Sequence, residues 1–140
     1  MDTQFGVSNV LGGGVPIGQG AGGFVKLFEL RAANLDITTD QVFTRVGSFT
    51  RYRVTQIEAI SKSGAATLAA GGIYSEAAKG GTAIVAAAQA WSALSTLDRV
   101  LGLTLVALPS ALQATPFLSL TVAAGVAGTA DVLVFGVILD

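Results

Sequence analysis

The first chemistry to consider in this sequence is phosphate binding by a glycine-rich stretch, GGGVPIGQGAGG at residues 12–23. A phosphate-binding loop follows a strand and opens a helix, and the P-loop form ends in Gly-Lys-Ser/Thr, so that backbone amides converge on the phosphate. This stretch follows no strand-like pattern and leads into FVKLFEL, which is typical of a β-strand. We therefore predict a flexible arm here and no nucleotide site.

Other reactive side chains lack the partners that catalysis requires. Ser75 and Lys79 could form a nucleophile and its base, but they lie in GGIYSEAAKGG, where two glycine pairs are typical of a solvated turn. Asp36 and Asp40 could bind a hard cation, yet the glycine and the further oxygen ligands of a calcium loop are missing. Glu58 is an isolated carboxylate without an acid–base partner. The sequence therefore predicts a protein that is not an enzyme.

Composition narrows the possible partners. The 140 residues include no Cys and no His, which removes disulfides, thiolate and imidazole metal ligands, and the commonest general base, so we expect no cofactor and no metal. The net charge is −1 and no basic stripe is present, so nucleic acid is not an expected partner. Charged residues make up 12% of the chain, about half the usual share, which indicates that part of the exterior is covered by protein or lipid.

Residues 100–130 carry no charge, which raises the possibility of a membrane segment. Pro109 and Pro116 divide this stretch into pieces shorter than the roughly 20 residues that a helical span needs. We therefore expect no membrane partner, and membrane association is kept only as a minor alternative.

The chain divides into a glycine-rich N-terminal arm, residues 1–23, and a single folded body, residues 24–140. The arm has too few large side chains to fix its own conformation, but its glycines allow the backbone to run close to a partner. Whether that partner is a sister subunit or a different protein is left open. The candidate partner-binding residues of the arm are Gly12, Gly13, Val15, Pro16, Ile17 and Gly20.

The body is predicted to be all-β, a sandwich or a barrel, because short runs rich in Val, Ile, Thr and aromatic residues alternate with Gly and Pro signals. We expect strands around Ile73 and Ile84, while residues 83–94, which begin with Ala83, could form either strand or a short helix. In RYRVTQIEAI, Tyr52 and Val54 share one face whereas Ile57 and Ala59 share the other, so either both faces are partly covered or a bulge shifts the phase.

The last stretch, DVLVFGVILD, is apolar on both faces, which is typical of a central strand covered on both sides by a second sheet or a neighbouring subunit. We expect Val134, Phe135 and Ile138 to lie where this strand meets its packing partner.

Three stretches together suggest a family: GGFVKLFELRAANLDITTDQ, AAGGIYSEAAKGGTAIVAAAQAWSAL and PFLSLTVAAGVAGTADVLVFGVILD. Over most of its length the chain resembles the small capsid decoration, or cement, proteins encoded among the head genes of tailed bacteriophages. The resemblance implies a β-sandwich or jelly-roll subunit, often a homotrimer, on the capsid exterior of the virion. It also implies that the partner is the major capsid protein, whose neighbouring subunits such a protein bridges.

An alternative is a receptor-binding or fibre-base module of the virion. Such a module needs exposed loops that carry recognition aromatics, for which Trp91 and Tyr74 are the candidates. The same two rings could instead pack in the core.

Overall fold

The computed structural model describes residues 24–106 and 111–140, and within these ranges the chain is all-β, without a helix. The predicted all-β class is therefore confirmed. The described residues form nine strands: β1 (Val25–Asn34), β2 (Gln41–Val42), β3 (Thr44–Arg45), β4 (Tyr52–Ser63), β5 (Ala70–Glu76), β6 (Gly80–Val85), β7 (Val100–Leu103), β8 (Phe117–Val122) and β9 (Thr129–Ile138).

The strands form two antiparallel sheets. One has five strands in the order β3-β1-β9-β4-β7, and the other has four in the order β2-β8-β5-β6. The predicted strands around Ile73 and Ile84 are present as β5 and β6. The doubly apolar β9 lies at the centre of the five-stranded sheet, between β1 and β4, as its sequence predicts.

Both sheets contribute side chains to one hydrophobic core. The pairing register of the five-stranded sheet aligns a row of buried residues across four strands: Phe28, Val134, Ile57 and Leu103. The four-stranded sheet adds Ile73, Val85, Leu118 and Leu120. Burying each such side chain contributes about 1.5–3 kcal/mol, so this shared core is what holds the two sheets together.

A β-bulge in β4 explains the broken alternation of its sequence. The register of β4 against β9 shifts between Val54 and Gln56. Because one extra residue reverses the alternation, Tyr52 and Val54 before the bulge and Ile57 after it are all buried. Of the two explanations that the sequence allows, the bulge is the one the chain adopts.

The chain crosses from one sheet to the other on both sides of the core. On one side, β2 pairs with β8 and β3 pairs with β1, and the buried Phe43 between them marks the crossing. On the other side, β7 pairs with β4, and Leu105 just beyond it bridges to Val85 of β6. These crossings shorten the free sheet edges that could pair with other chains.

The helical alternative for residues 83–94 is not adopted. The first residues of this stretch complete β6, and a turn follows in which the Gln89 N–H donates to the Ala86 carbonyl over 3.0 Å. The Trp91 N–H then donates to the Ala69 carbonyl over 3.0 Å. In a helix the Trp91 N–H would donate to a carbonyl within residues 83–94, whereas here it donates to Ala69 outside that stretch. The Trp91 side chain is fully buried. Tertiary packing thus overrides the helix propensity of alanine.

Candidate functional site

An apolar row runs along the outer face of β9. Leu133, Phe135 and Val137 alternate with the buried Val132 and Val134, so they project away from the core, and all three are half-buried. A central strand of a sheet that faces water normally carries polar residues on its outer face. The row is therefore a candidate contact surface.

Polar and charged residues flank this row. Leu133 is paired with Glu29 of β1 and Glu58 of β4, and Phe135 is paired with Lys26 and Gln56. An apolar centre with a polar rim is the usual anatomy of a protein interface.

Phe135 also lines a shallow cleft of about 220 Å³ together with Phe24, Thr55 and Gln56. Phe24 is 69% exposed and lies immediately before the start of β1. The two phenyl rings make the cleft mostly apolar.

Ile138 lies at a second cleft, of about 320 Å³, where β1 begins. Its other lining residues are Val25, Lys26, Val46, Gly47 and Ser48. Of the three predicted residues of β9, Phe135 faces outward, Ile138 is half-buried and packs against the core, and Val134 lies within the core. The arm residues Gly12, Gly13, Val15, Pro16, Ile17 and Gly20 lie outside the described residues.

Ion pairs occupy the β1 side of the apolar row. The Lys26 ammonium donates to Glu29 over 2.9 Å, and the Arg31 guanidinium lies 3.1 Å from Glu29 and 3.0 Å from Asp131. The hydrogen bond from Lys26 is the main reason that the pKa of Glu29 lies below its usual value. These charges satisfy one another, so they are not arranged to hold a charged ligand.

A polar cluster that the sequence does not reveal lies on the four-stranded sheet. The Lys79 ammonium donates to the Ser119 hydroxyl over 3.0 Å, and Asp40 accepts a hydrogen bond from the N–H of Ala78 over 2.6 Å. That N–H, followed by the Ser119 hydroxyl, lowers the pKa of Asp40. The Ser–Lys contact resembles a nucleophile with its base, but Ser119 is only 1% exposed and a substrate cannot reach it.

The reactive groups considered in the sequence have structural roles. Ser75 does not contact Lys79 through its hydroxyl but accepts a hydrogen bond from the Thr82 N–H over 2.7 Å. Asp36 accepts one from the Gly125 N–H over 2.8 Å, which joins two loops. Within residues 24–106 and 111–140, no group of three or more Asp or Glu side chains could hold a metal ion.

The two rings considered for receptor recognition are buried. Trp91 is 0% exposed, and its indole N–H donates to the Gly71 carbonyl over 3.1 Å. Tyr74 is 6% exposed. Both belong to the interior, so neither is placed to contact a receptor.

In the part of the chain that the structure describes, no helix is long and apolar enough to cross a membrane. Comparison with known proteins gives no match to a protein-family model, to a curated protein or to a solved structure.

Proposed function

We propose that this protein is a non-enzymatic virion structural protein that binds the exterior of a bacteriophage capsid and bridges subunits of the major capsid protein. The observation that carries the proposal is the apolar row of Leu133, Phe135 and Val137 on the outer face of a central strand. In the isolated subunit this apolar row faces water. Such a surface suits a protein whose outer sheet face becomes covered in an assembly. The resemblance of the sequence to decoration proteins supplies the specific kind of assembly.

We also infer that the two sheets form a β-sandwich of the jelly-roll type. If β2 and β3 are counted as one strand interrupted at Phe43, the described residues form eight strands. The pairs β1·β9, β2·β8, β4·β7 and β5·β6 then join first to last, second to seventh, third to sixth and fourth to fifth. This is the pairing of a long hairpin wrapped around a core. Jelly rolls occur in viral capsid proteins, although this support is an analogy of fold.

The apolar row and the adjoining clefts are proposed as the contact between copies of the chain. Phe135 and Ile138 line clefts on either side of the start of β1, where the arm joins the body. An arm that joins the body at this contact is well placed to extend onto a neighbouring copy, as a glycine-rich segment can. A homotrimer is the expected assembly, on the resemblance alone.

The receptor-binding alternative loses its main support because Trp91 and Tyr74 are buried. A paratope on this chain would have to be built without its only Trp.

The test uses the full chain and shells assembled from the major capsid protein encoded by the same genome. We expect the purified protein to be an oligomer at micromolar concentration and to cosediment with the shells. Cryo-electron microscopy should then show added density that bridges neighbouring subunits on the outer surface. A monomeric protein that stays in the supernatant at saturating shell concentration would overturn the proposal.

A further inference from the structure

Four loops meet at one end of the body, and we call this end the loop crown. The loops join β1 to β2, β4 to β5, β6 to β7 and β8 to β9, and they comprise residues 35–40, 64–69, 86–99 and 123–128. The two clefts and the end of β9 lie at the opposite end of the strands, because the start of β1 pairs with the end of β9.

Three of the four loops each present an exposed large apolar side chain. Leu68 and Leu97 are each 66% exposed, and Val126 is 52% exposed. Val100, where β7 starts, and Val122, where β8 ends, are exposed at the same end. Single exposed apolar residues are ordinary, but a group of them at one end of a small domain marks an interaction surface.

Hydrogen bonds between the loops hold these side chains in place. The Gly125 N–H donates to the Asp36 carboxylate over 2.8 Å, and the Ala66 N–H donates to the Leu94 carbonyl over 3.1 Å. Leu68 lies beside the β8–β9 loop, since a Cβ placed on Gly125 would lie within van der Waals distance, 3.7 Å, of the Leu68 Cδ1. A surface that is already ordered loses little conformational entropy when it binds.

The charge of the crown indicates what kind of partner it suits. The acidic residues at this end are Asp36 and Asp98, and they are matched by Arg99 and Lys62. The Lys62 ammonium lies 4.0 Å from the Asp98 carboxylate. The crown therefore has no cluster of Lys and Arg of the kind that anionic lipid and nucleic acid select. The crown also lacks the exposed Trp or Tyr that favours a membrane interface, because Trp91 is buried. A protein surface with small apolar recesses is the partner that fits.

We propose that the loop crown is the face by which this protein docks on the outer surface of the capsid shell, an inference that rests on the proposed function. The three exposed apolar side chains of the crown can bury much less surface than the roughly 1,200–2,000 Å² of a stable protein–protein interface. One crown is therefore too small to hold two isolated molecules together. An oligomer presents one crown from each of its subunits to a repeating lattice, and several linked weak contacts then give tight attachment.

The test compares crown variants with matched controls in the full chain. The crown variants are Leu68→Ser, Leu97→Ser and Val126→Thr, and the controls are Val42→Thr and Val106→Thr, whose side chains are 55% and 46% exposed away from the crown. Because all five positions are exposed, each variant should keep the circular dichroism spectrum and melting temperature of the wild type. Cosedimentation with the shells should be about tenfold weaker for each crown variant and should stay within about twofold of the wild type for each control.

The outcomes separate this inference from the proposed function. Crown variants that remain oligomeric but no longer cosediment with the shells support the inference. Wild type that fails to bind shells overturns both proposals, whereas wild type and crown variants that bind equally overturn only the role of the crown. Crown variants that dissociate into monomers would assign the crown to a second copy, and crown-dependent flotation of the wild type with phosphatidylcholine vesicles would assign it to lipid; either result overturns the inference.

Discussion

The backbone N–H of Ala32 donates a 2.9 Å hydrogen bond to the carboxylate of Asp131, although the two residues are 99 positions apart. Ala32 lies in a bulge of β1, where the register against β9 shifts and its φ is +52°. A bulge leaves an amide without a strand partner, and a hydrogen bond from such an amide to a charged carboxylate is stronger than one between neutral groups. The carboxylate of Asp131 satisfies this amide and also pairs with Arg31 over 3.0 Å, so it fixes the bulge beside the apolar row.

The first prediction concerns Asp131 and acid stability. Burial raises the pKa of Asp131, but the hydrogen bond from Ala32 and the pairing with Arg31 outweigh it and leave the pKa below its usual value. The ionised form therefore stabilises the fold above the unfolded pKa of about 3.9, and this contribution is lost as the pH falls through the lower folded pKa.

Asp131→Ala should reduce the free energy of unfolding by about 1–3 kcal/mol at pH 7, because it removes the charged hydrogen bonds to Ala32 and Arg31, and the deficit should shrink below about pH 4. Urea denaturation at several pH values measures both effects. Asp98→Asn is the control, since its partner Lys62 is 4.0 Å away and both side chains are largely exposed. A pair of that kind contributes about 1 kcal/mol or less, and a cost for Asp98→Asn as large as that for Asp131→Ala would contradict this account.

The second prediction concerns Tyr52 and alkaline stability. Burial raises the pKa of Tyr52 to about 12, against a smaller opposing effect of the Arg45 cation. The unfolded tyrosine ionises first, near pH 10, so stability should fall as the pH rises from about 10 to 12. Absorbance titration at 295 nm should show one tyrosine that ionises only near pH 12.

Tyr52→Phe should remove that late ionisation and that part of the alkaline loss of stability. It also removes the hydrogen bond from the Tyr52 hydroxyl to the Ala114 carbonyl, which should cost about 0.5–1.5 kcal/mol at neutral pH. A late-titrating tyrosine that persists in the variant would contradict the assignment to Tyr52.

The third prediction compares two strand glycines. A Cβ on Gly136 of β9 would clash with the carbonyl oxygen of Arg53, so Gly136→Ala has to move the backbone of the β4–β9 pair. We expect a loss of about 1–3 kcal/mol or more. A Cβ on Gly102 of β7 meets nothing within 4 Å, so Gly102→Ala should be neutral or stabilise by up to about 1 kcal/mol. Thermal unfolding of both variants measures the contrast, and equal melting temperatures would count against it.

Local sequence patterns predict much of this fold. The double apolarity of DVLVFGVILD indicates a central strand, and the phase break in RYRVTQIEAI anticipates the bulge after Val54. These features depend on neighbouring residues and on the two-residue period of a strand. The residues after Val85 are less predictable, because Trp91 anchors them in the core from a distance and alanine propensity points to a helix instead.

The candidate surfaces are harder to predict from sequence. The contact between Lys79 and Ser119 joins residues 40 positions apart, and the sequence pairs Lys79 with the nearer Ser75 instead. Leu68 lies in a run of small residues that suits a buried strand, yet in the loop between β4 and β5 its side chain is exposed to solvent. Exposure of this kind depends on which loops meet at one end of the sheets, and one-dimensional patterns carry no information about that.

The fourth prediction concerns residues 1–23, which lie outside the described residues. Deleting them removes no core residue of the described body, so the truncated chain should keep its β-type circular dichroism spectrum and its melting temperature within a few degrees. Because the arm joins the sheet at the Phe24 cleft, we expect weaker association between copies or weaker attachment to shells. Sedimentation and shell binding, each measured over a concentration series, distinguish the two. A truncated chain that associates and decorates as tightly as the full chain would show that the arm is dispensable.

The final prediction separates folding from association with two adjacent residues of β9. Val134 is 1% exposed in the core, so Val134→Ala should reduce the free energy of unfolding by about 2 kcal/mol, through lost burial and a cavity. Phe135 points the other way and is half-buried, so Phe135→Ala should cost the isolated fold less than the 3–5 kcal/mol of a fully buried phenylalanine. If the outer row is the contact between copies, Phe135→Ala should shift the protein towards monomer at micromolar concentration, whereas Val134→Ala should leave the oligomer intact. Analytical ultracentrifugation and urea denaturation of the same two samples give both quantities. A Phe135→Ala protein with an unchanged sedimentation profile would remove the outer face of β9 from the assembly and would leave the subunit contact to be sought elsewhere on the surface.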